Sequence, residues 1–367
     1  MIDNFNLRST GIATNNLKEH GKKIFIIMFL IIIYLIVIIN AKKTKYELTH
    51  IALNLLIEYE KLPEDRYLIS HPVGGWGDII KGSSSAFFLA LSTQRRFYAT
   101  FQTHSIYPIF PSLNKNNGGC SMNENVIEIV DTEYDNLDAV WISKARNNTE
   151  RCWNVHFNGE ASYYFIHKLD YITNHTYLSD LTPEDLIWIY MYIFVNYPGD
   201  NIDKYNRYAL QNDGSYNEVD VGVQLRVTEN RLNPQRALNC FYEKIIHDCG
   251  KRKPCTVFIT CDNPIITMNL TSMLQKHRYI VPFHSKLSSK HIGTAKNEDD
   301  VFITIYDWWM LSTAKNILIS RSGFGETAGW RNKFNVDIFQ SLELNSELCL
   351  WNDCHTRTQN IIGWNYC

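Results

Sequence analysis

The sequence predicts an α/β protein with a doubly wound parallel sheet in each half of the chain, preceded by a single membrane-spanning helix. Three observations predict it. Strand-like and helix-like segments alternate along most of residues 66–340, glycine-rich turns join strand to helix in both halves, and one long apolar run stands near the start. The 367 residues suffice for two domains, and 45% of them are hydrophobic with only 18 Gly and 10 Pro, which excludes a disordered or linker-dominated chain. With 36 basic and 38 acidic side chains in no long run of one sign, the basic stripe of a nucleic-acid binder is missing.

Residues 1–23 read as a cytoplasmic tail and 24–40 as an uncleaved anchor. From Ile24 to Ile39 the only polar group is the phenol of Tyr34, and the run gives ~24 Å of helix, a short span suited to thin early-secretory membranes. The run exceeds a signal-peptide core, and Asn40-Ala41-Lys42-Lys43 makes a poor cleavage site. Lysines flank both ends, so charge does not orient it. The sequons at Asn147, Asn174 and Asn269 and all nine cysteines follow the span, which predicts a single-pass type II protein of the Golgi or endoplasmic reticulum membrane with a lumenal body. An odd cysteine count leaves one thiol over; a local Cys349–Cys354 closure is expected among the rest.

The body follows in order. Residues 41–65 read as a stem, helical over 46–62 and stopped at Pro63. Strand 67–70 runs into the turn Gly74-Gly75-Trp76-Gly77-Asp78, then a small-residue helix to about Thr93 and a strand at 97–101. Residues 104–160 carry mixed signals. Thr182 caps a helix opening at Pro183, and 199–217 is a polar linker between a first domain, 66–200, and a second, 218–367. The second half predicts strands at 219–226, 257–260, 279–282 and 315–320, with helices at 234–247, 264–276, 302–313 and from about Glu326.

In such sheets ligands bind beyond the carboxyl ends of the strands, where this sequence puts Arg226, Asp262 and Ser320-Arg321-Ser322-Gly323-Phe324-Gly325. A guanidinium there binds two phosphate oxygens at once or pairs with Glu229. The glycine turn lets backbone N–H groups approach an anion. Asp262 either accepts hydrogen bonds from a nucleotide or caps the next helix. The acidic pairs nearest a metal-binding pattern, Asp131/Glu133 and Asp299/Asp300, read as solvated loops, so no metal is expected.

Gly222-Val223-Gln224-Leu225-Arg226-Val227-Thr228-Glu229 resembles the His-x-Arg-x-x-Asp segment of the superfamily of α1,2-, α1,6- and protein O-fucosyltransferases. Phe258 to Asp262 is similar to its strand ending in Ser-Asp-Asp, the run from Asp307 to Gly325 to its Asp-helix-strand-Ser-x-Phe element, and Gly74 to Arg96 to its opening turn and helix. Gln224 stands where many members have His, Glu229 where they have Asp, and Asn263 replaces the second Asp of Ser-Asp-Asp. The resemblance implies a GT-B-like architecture of two Rossmann-like domains and metal-independent, inverting transfer of fucose from GDP-fucose to a glycan or glycoprotein. It implies donor contacts from Arg226, Gln224, Asp262, Asp307, Ser320, Arg321, Ser322, Gly323 and Phe324, and an acceptor-side loop of Gly74, Gly75, Trp76 and Gly77. Asp78 is the first candidate for the catalytic base and Glu229 the second. Another nucleotide-sugar transferase, or a catalytically silent membrane-anchored glycan-binding relative, are the alternatives.

Overall fold

Side-chain caps set where the helices begin. Thr182 Oγ1 accepts the Asp185 N–H at 3.2 Å while the Asp185 carboxylate accepts the Thr182 N–H at 3.0 Å, so the helix opens at Pro183. Asn233 and Asn263 cap helices that also open on proline, and Asn297 caps a third. The computed structural model describes residues 43–101, 127–130 (backbone), 146–148, 150–157, 169, 172, 174–195, 219–227, 233–250, 254–285, 295, 297–320, 322–342 and 349–354. The helices are α1 (Lys45–Glu60), α2 (Trp76–Ser92), α3 (Thr176–Ser179), α4 (Pro183–Phe194), α5 (Pro234–Cys249), α6 (Pro264–Leu274), α7 (Glu298–Leu311) and α8 (Gly323–Arg331).

The strands form two sheets. In the first, β1 (Tyr67–Ser70), β2 (Arg96–Ala99), β3 (Ile127–Val130) and β4 (Cys152–His156) lie in the order β2-β1-β4-β3, all parallel. The second has the order β10-β9-β8-β5-β6-β7, built from β5 (Val221–Leu225), β6 (Cys255–Cys261), β7 (Ile280–His284), β8 (Asn316–Ser320), β9 (Ile338–Leu342) and β10 (Trp351–Asp353). Only β10 runs antiparallel, against β9. The expected parallel α/β architecture is therefore observed, with strand order reversing at β5/β8 in one sheet and at β1/β4 in the other. Both sheets belong to one compact unit, Leu48–Cys367; Met1–Glu47 forms another.

Several expectations change. The helix expected as a stem buries Leu48, Ile51, Ala52, Leu55 and Tyr59, and Tyr59 donates to the Phe97 carbonyl at 3.0 Å, so from Leu48 onward it is core. Asp299 and Asp300 lie in the first turn of α7, where negative charge complements the helix dipole; Asp300 is buried and its N–H donates to Asn297 Oδ1. Cys349 bonds Cys240 rather than Cys354, and Cys249 bonds Cys255. Cys152 and Cys354 are also disulfide-bonded, while Cys261 is a free buried thiol. The apolar segment 24–40 and the linker 199–217 fall outside the described residues; among those described, no helix is long and apolar enough to cross a membrane. Asn147, Asn174 and Asn269 are all exposed.

Helix α2 is buried on nearly every side. Its small residues, Gly77, Gly82 and Ser83 to Ser85, let other elements approach closely. A side chain on Gly77 would start 2.2 Å from the Gly323 carbonyl carbon, so α2 and α8 meet backbone to backbone. Beneath that contact Lys81 Nζ and Glu326 Oε2 form an ion pair at 2.9 Å with both side chains fully buried.

Candidate active site

The loop from β1 to α2 turns on Gly74, whose φ of +103° favours glycine. It delivers Gly75, Trp76, Gly77 and Asp78 to one wall of a cleft. The carboxyl ends of β5 and β6 supply Gln224, Leu225, Arg226, Thr260, Cys261 and Asp262, and α7 and α8 complete the cleft with Thr304, Gly323 and Phe324. About 590 Å³ lies between these residues, open solvent at the mouth included. The cleft sits at the β5/β8 reversal, as expected for a doubly wound sheet.

Arg226 is half-buried and held by its backbone from two sides. Its N–H donates to Ser320 Oγ at 2.6 Å, and the next N–H, of Val227, donates to Asp262 Oδ1 at 3.0 Å. Ser320 and Asp262 thus fix the strand end that carries the guanidinium. The cap of α6 is Asn263, whose Oδ1 accepts from Ile265 N at 3.0 Å and Ile266 N at 3.4 Å. Asp262 is therefore not the cap of α6.

Two helix N-termini face the cleft, those of α2 and α8, and in neither does the N-cap side chain bond the first turn. Gly75 has no side chain to offer, and Ser322 leaves its first-turn N–H groups alone. Partial positive charge from both helices therefore points toward the space beside Arg226. Gln224 and Ser322 are both nine-tenths buried or more, and Gln224 Oε1 and Ser322 Oγ have no hydrogen-bond partner among the described residues. Buried polar atoms of this kind cost stability unless something satisfies them. Asp78 uses Oδ2 to accept the Gly75 N–H at 3.0 Å, closing its own helix start.

Asp307, expected as a donor contact, lies one layer behind the cleft. It is buried and accepts hydrogen bonds from Thr260 Oγ1 at 2.8 Å and from Ser285 Oγ, so it orients Thr260, which does line the cleft. Ser320 and Ser322 likewise sit behind the lining. The Trp76 indole is a core ring, edge-on to Trp308 at 5.8 Å. Arg321 and Glu229 fall outside the described residues. Sequence reasoning missed Leu225, Thr260, Cys261 and Thr304. The first three neighbour Arg226 and Asp262 and were within reach of the strand-end argument; Thr304 enters only through the packing of α7.

The Cys261 thiol is pushed up to about 12, first by burial and then by the adjacent Asp262 carboxylate, against a backbone hydrogen bond from Asn263 that lowers it. At pH 8 it stays a neutral thiol. Among the described cysteines it is expected to resist a charged thiol reagent in the native protein and to react at once in denaturant, as a mass shift would record.

No protein-family model matches the sequence, and no curated protein matches it. Among solved structures, a variant of Arabidopsis thaliana FUT1 in complex with GDP superposes with a TM-score of 0.51 at 13% identity, covering 82% of this chain and 76% of that one. The chain has a fucosyltransferase-like fold. The α-1,6-fucosyltransferase NodZ of Bradyrhizobium, co-crystallized with GDP, gives 0.49 at 13% identity over 79% of this chain and 98% of its own. POFUT1 in complex with GDP gives 0.38 at 11% identity over 74% and 97%.

Proposed function

We propose that the protein is a glycosyltransferase that takes fucose from GDP-fucose and passes it, with inversion and without a metal ion, to a hydroxyl of a glycan or glycoprotein. One observation carries the reading. Arg226 and two helix N-termini without side-chain caps converge on a single cleft at the strand-order reversal, an arrangement suited to a diphosphate. The shared fold with GDP-bound FUT1 supports the same choice of nucleotide.

In this reading Arg226 and the first-turn N–H groups of α8 neutralise the diphosphate as it leaves, a stabilisation that grows with the charge in the transition state. Gln224, which lines the cleft, gives its buried Oε1 to a hydroxyl of the same ligand. Asp262, Ser320 and Asp307 hold the lining in place. The disulfides and the exposed sequon asparagines favour an oxidising, glycosylating compartment, consistent with a lumenal body behind a type II anchor.

Thermal shift of the full chain with GDP and with UDP tests the proposal. A rise with GDP alone supports it; a rise with UDP alone points to another nucleotide-sugar transferase, and none with either to a silent glycan-binding relative. Arg226→Lys keeps the charge but loses the planar fork. A charge-assisted contact of this kind contributes about 1.5–3 kcal/mol, so GDP affinity by isothermal titration is expected to fall roughly 10–100-fold. Wild-type affinity would remove Arg226 from the site.

A further inference from the structure

The outer side of α1 is apolar where water would favour charge. Seven large apolar side chains stand exposed among the described residues, and three of them, Tyr46 (80%), Leu53 (47%) and Ile57 (52%), belong to this one helix. At about 3.6 residues per turn, positions i, i+7 and i+11 fall within roughly 40° of one another, so the three form a single line. The line runs along the side away from Leu48, Ala52, Leu55 and Tyr59, which are buried in the core. Scattered exposed apolar residues are ordinary on a protein surface; three in a row on one helix ask for a cover.

The start of the helix says what that cover is. Thr44 and Glu47 close a capping box: the Glu47 N–H donates to Thr44 Oγ1 at 3.2 Å and the Thr44 N–H donates to Glu47 Oε2 at 2.7 Å. The first turn of α1 is thereby fixed directly after residues 40–44, and these follow the apolar run that ends at Ile39. Even fully extended, that connection reaches at most about 18 Å. With the run seated in a bilayer, the folded body begins at the lipid surface, and α1 is its first element. An upright α1 would carry Ile57 about 17 Å further from the surface than Tyr46 and leave the line in water; laid flat, it brings all three side chains to the interface. Tyrosine suits that layer, with its ring in the acyl boundary and its hydroxyl among the headgroups. The exposed charges beside the line, Lys45, Glu47 and Glu60, are of both signs, which fits zwitterionic headgroups rather than anionic ones. Three side chains alone hold a bilayer weakly, but a tether this short keeps the lipid surface at high effective concentration.

We propose that the line of Tyr46, Leu53 and Ile57 lies in the interfacial layer of a zwitterionic bilayer, so that the body rests on the membrane instead of standing off it on a stem; this rests on the reading of 24–40 as an anchor. α1 then has two apolar sides with two different partners, the protein core on one and lipid on the other.

The full chain, with photoreactive p-benzoylphenylalanine in place of Leu53, of Ile57 or, as a control on α6, of the exposed Ile265, is reconstituted in phosphatidylcholine vesicles with and without phosphatidylserine and irradiated. All three positions are exposed, so the fold tolerates the probe. The chains probed at 53 and 57 are expected to gain the mass of one phosphatidylcholine molecule, equally in both kinds of vesicle, and the chain probed at 265 is not. No lipid adduct at 53 and 57, or an equal adduct at 265, overturns the proposal. A cross-link between two copies of the chain assigns the face to a second copy and overturns it too, and adducts that require phosphatidylserine place the contact on the lysines instead of the apolar line. Release of the unmodified chain from the vesicles by alkaline carbonate overturns the anchor reading, and the lipid adducts still decide for the face of α1.

Discussion

Replacing Lys81 by methionine is expected to lower the stability of the folded unit by about 3–5 kcal/mol, because it leaves the Glu326 carboxylate buried without its cation. Both side chains are fully buried and joined at 2.9 Å, and Glu326 Oε1 already lacks a hydrogen-bond partner among the described residues. Methionine fills nearly the same volume, so lost packing adds little. Removing both charges is a different experiment. Lys81→Met with Glu326→Leu exchanges the pair for apolar contacts beside Trp330, and exchanges of this kind are often neutral or stabilising. Denaturation of the two single variants and the double variant gives the coupling directly. A Lys81→Met protein as stable as wild type, or a double variant no better than the single, would contradict the account of a buried pair joining α2 to α8.

Gly77→Ala is expected to damage binding more than its size suggests. The new methyl would sit 2.2 Å from the Gly323 carbonyl carbon, 2.3 Å from its oxygen and 2.5 Å from the Phe324 nitrogen, all backbone atoms without a rotamer to yield. Ordinary contact begins near 3.4 Å, so α2 and α8 must part by about an ångström. Overpacking of this kind costs about 1–3 kcal/mol. The larger effect falls on the cleft, which the N-termini of both helices help to line. A misplacement of about 1 Å is enough for a roughly 10²-fold loss, expected here in GDP affinity by titration. Gly250→Ala serves as the control, since its nearest neighbours lie at 3.3 and 3.4 Å at a helix end away from the cleft. Equal GDP binding by Gly77→Ala and wild type would show that the close approach does not set the site.

How far the sequence could be read depended on how local each signal was. β5, β6 and β8 are short, mostly apolar runs bounded by polar turns, and their carboxyl ends point to Arg226, Asp262 and the Gly323 turn from the sequence itself. The proline-led helices were equally legible, because Thr182, Asn233 and Asn263 bond groups two or three residues away. β3 and β4 were not. They are short, and β4 pairs with β1, some 85 residues earlier in sequence, so nothing nearby announces it. Lys81 illustrates the same limit. A single lysine on a helix reads as solvent-facing, and its partner stands 245 residues away. Asp307 was read as a ligand contact from its motif, yet the motif holds a layer that supports Thr260, a distinction only packing reveals.

The antiparallel strand β10 also bears on how this chain behaves outside its own environment. β10 covers the β9 edge of the second sheet, and Cys349, two residues before it, is bonded to Cys240 on α5 across 109 residues of sequence. The opposite edge strand, β7, carries Pro282, which cannot donate a ladder hydrogen bond. One flank is blunted by a residue that stays put under any condition, the other by a strap fastened through a reducible bond. Under strong reductant the strap keeps only its hydrogen bonds to β9, and any fraying of β10 presents a row of backbone donors and acceptors to a neighbouring chain. The β9 edge is thus fastened covalently when the protein is oxidised and covered by hydrogen bonds alone when it is reduced, so the protection of this edge is tied to the redox state of the compartment in which the chain folds.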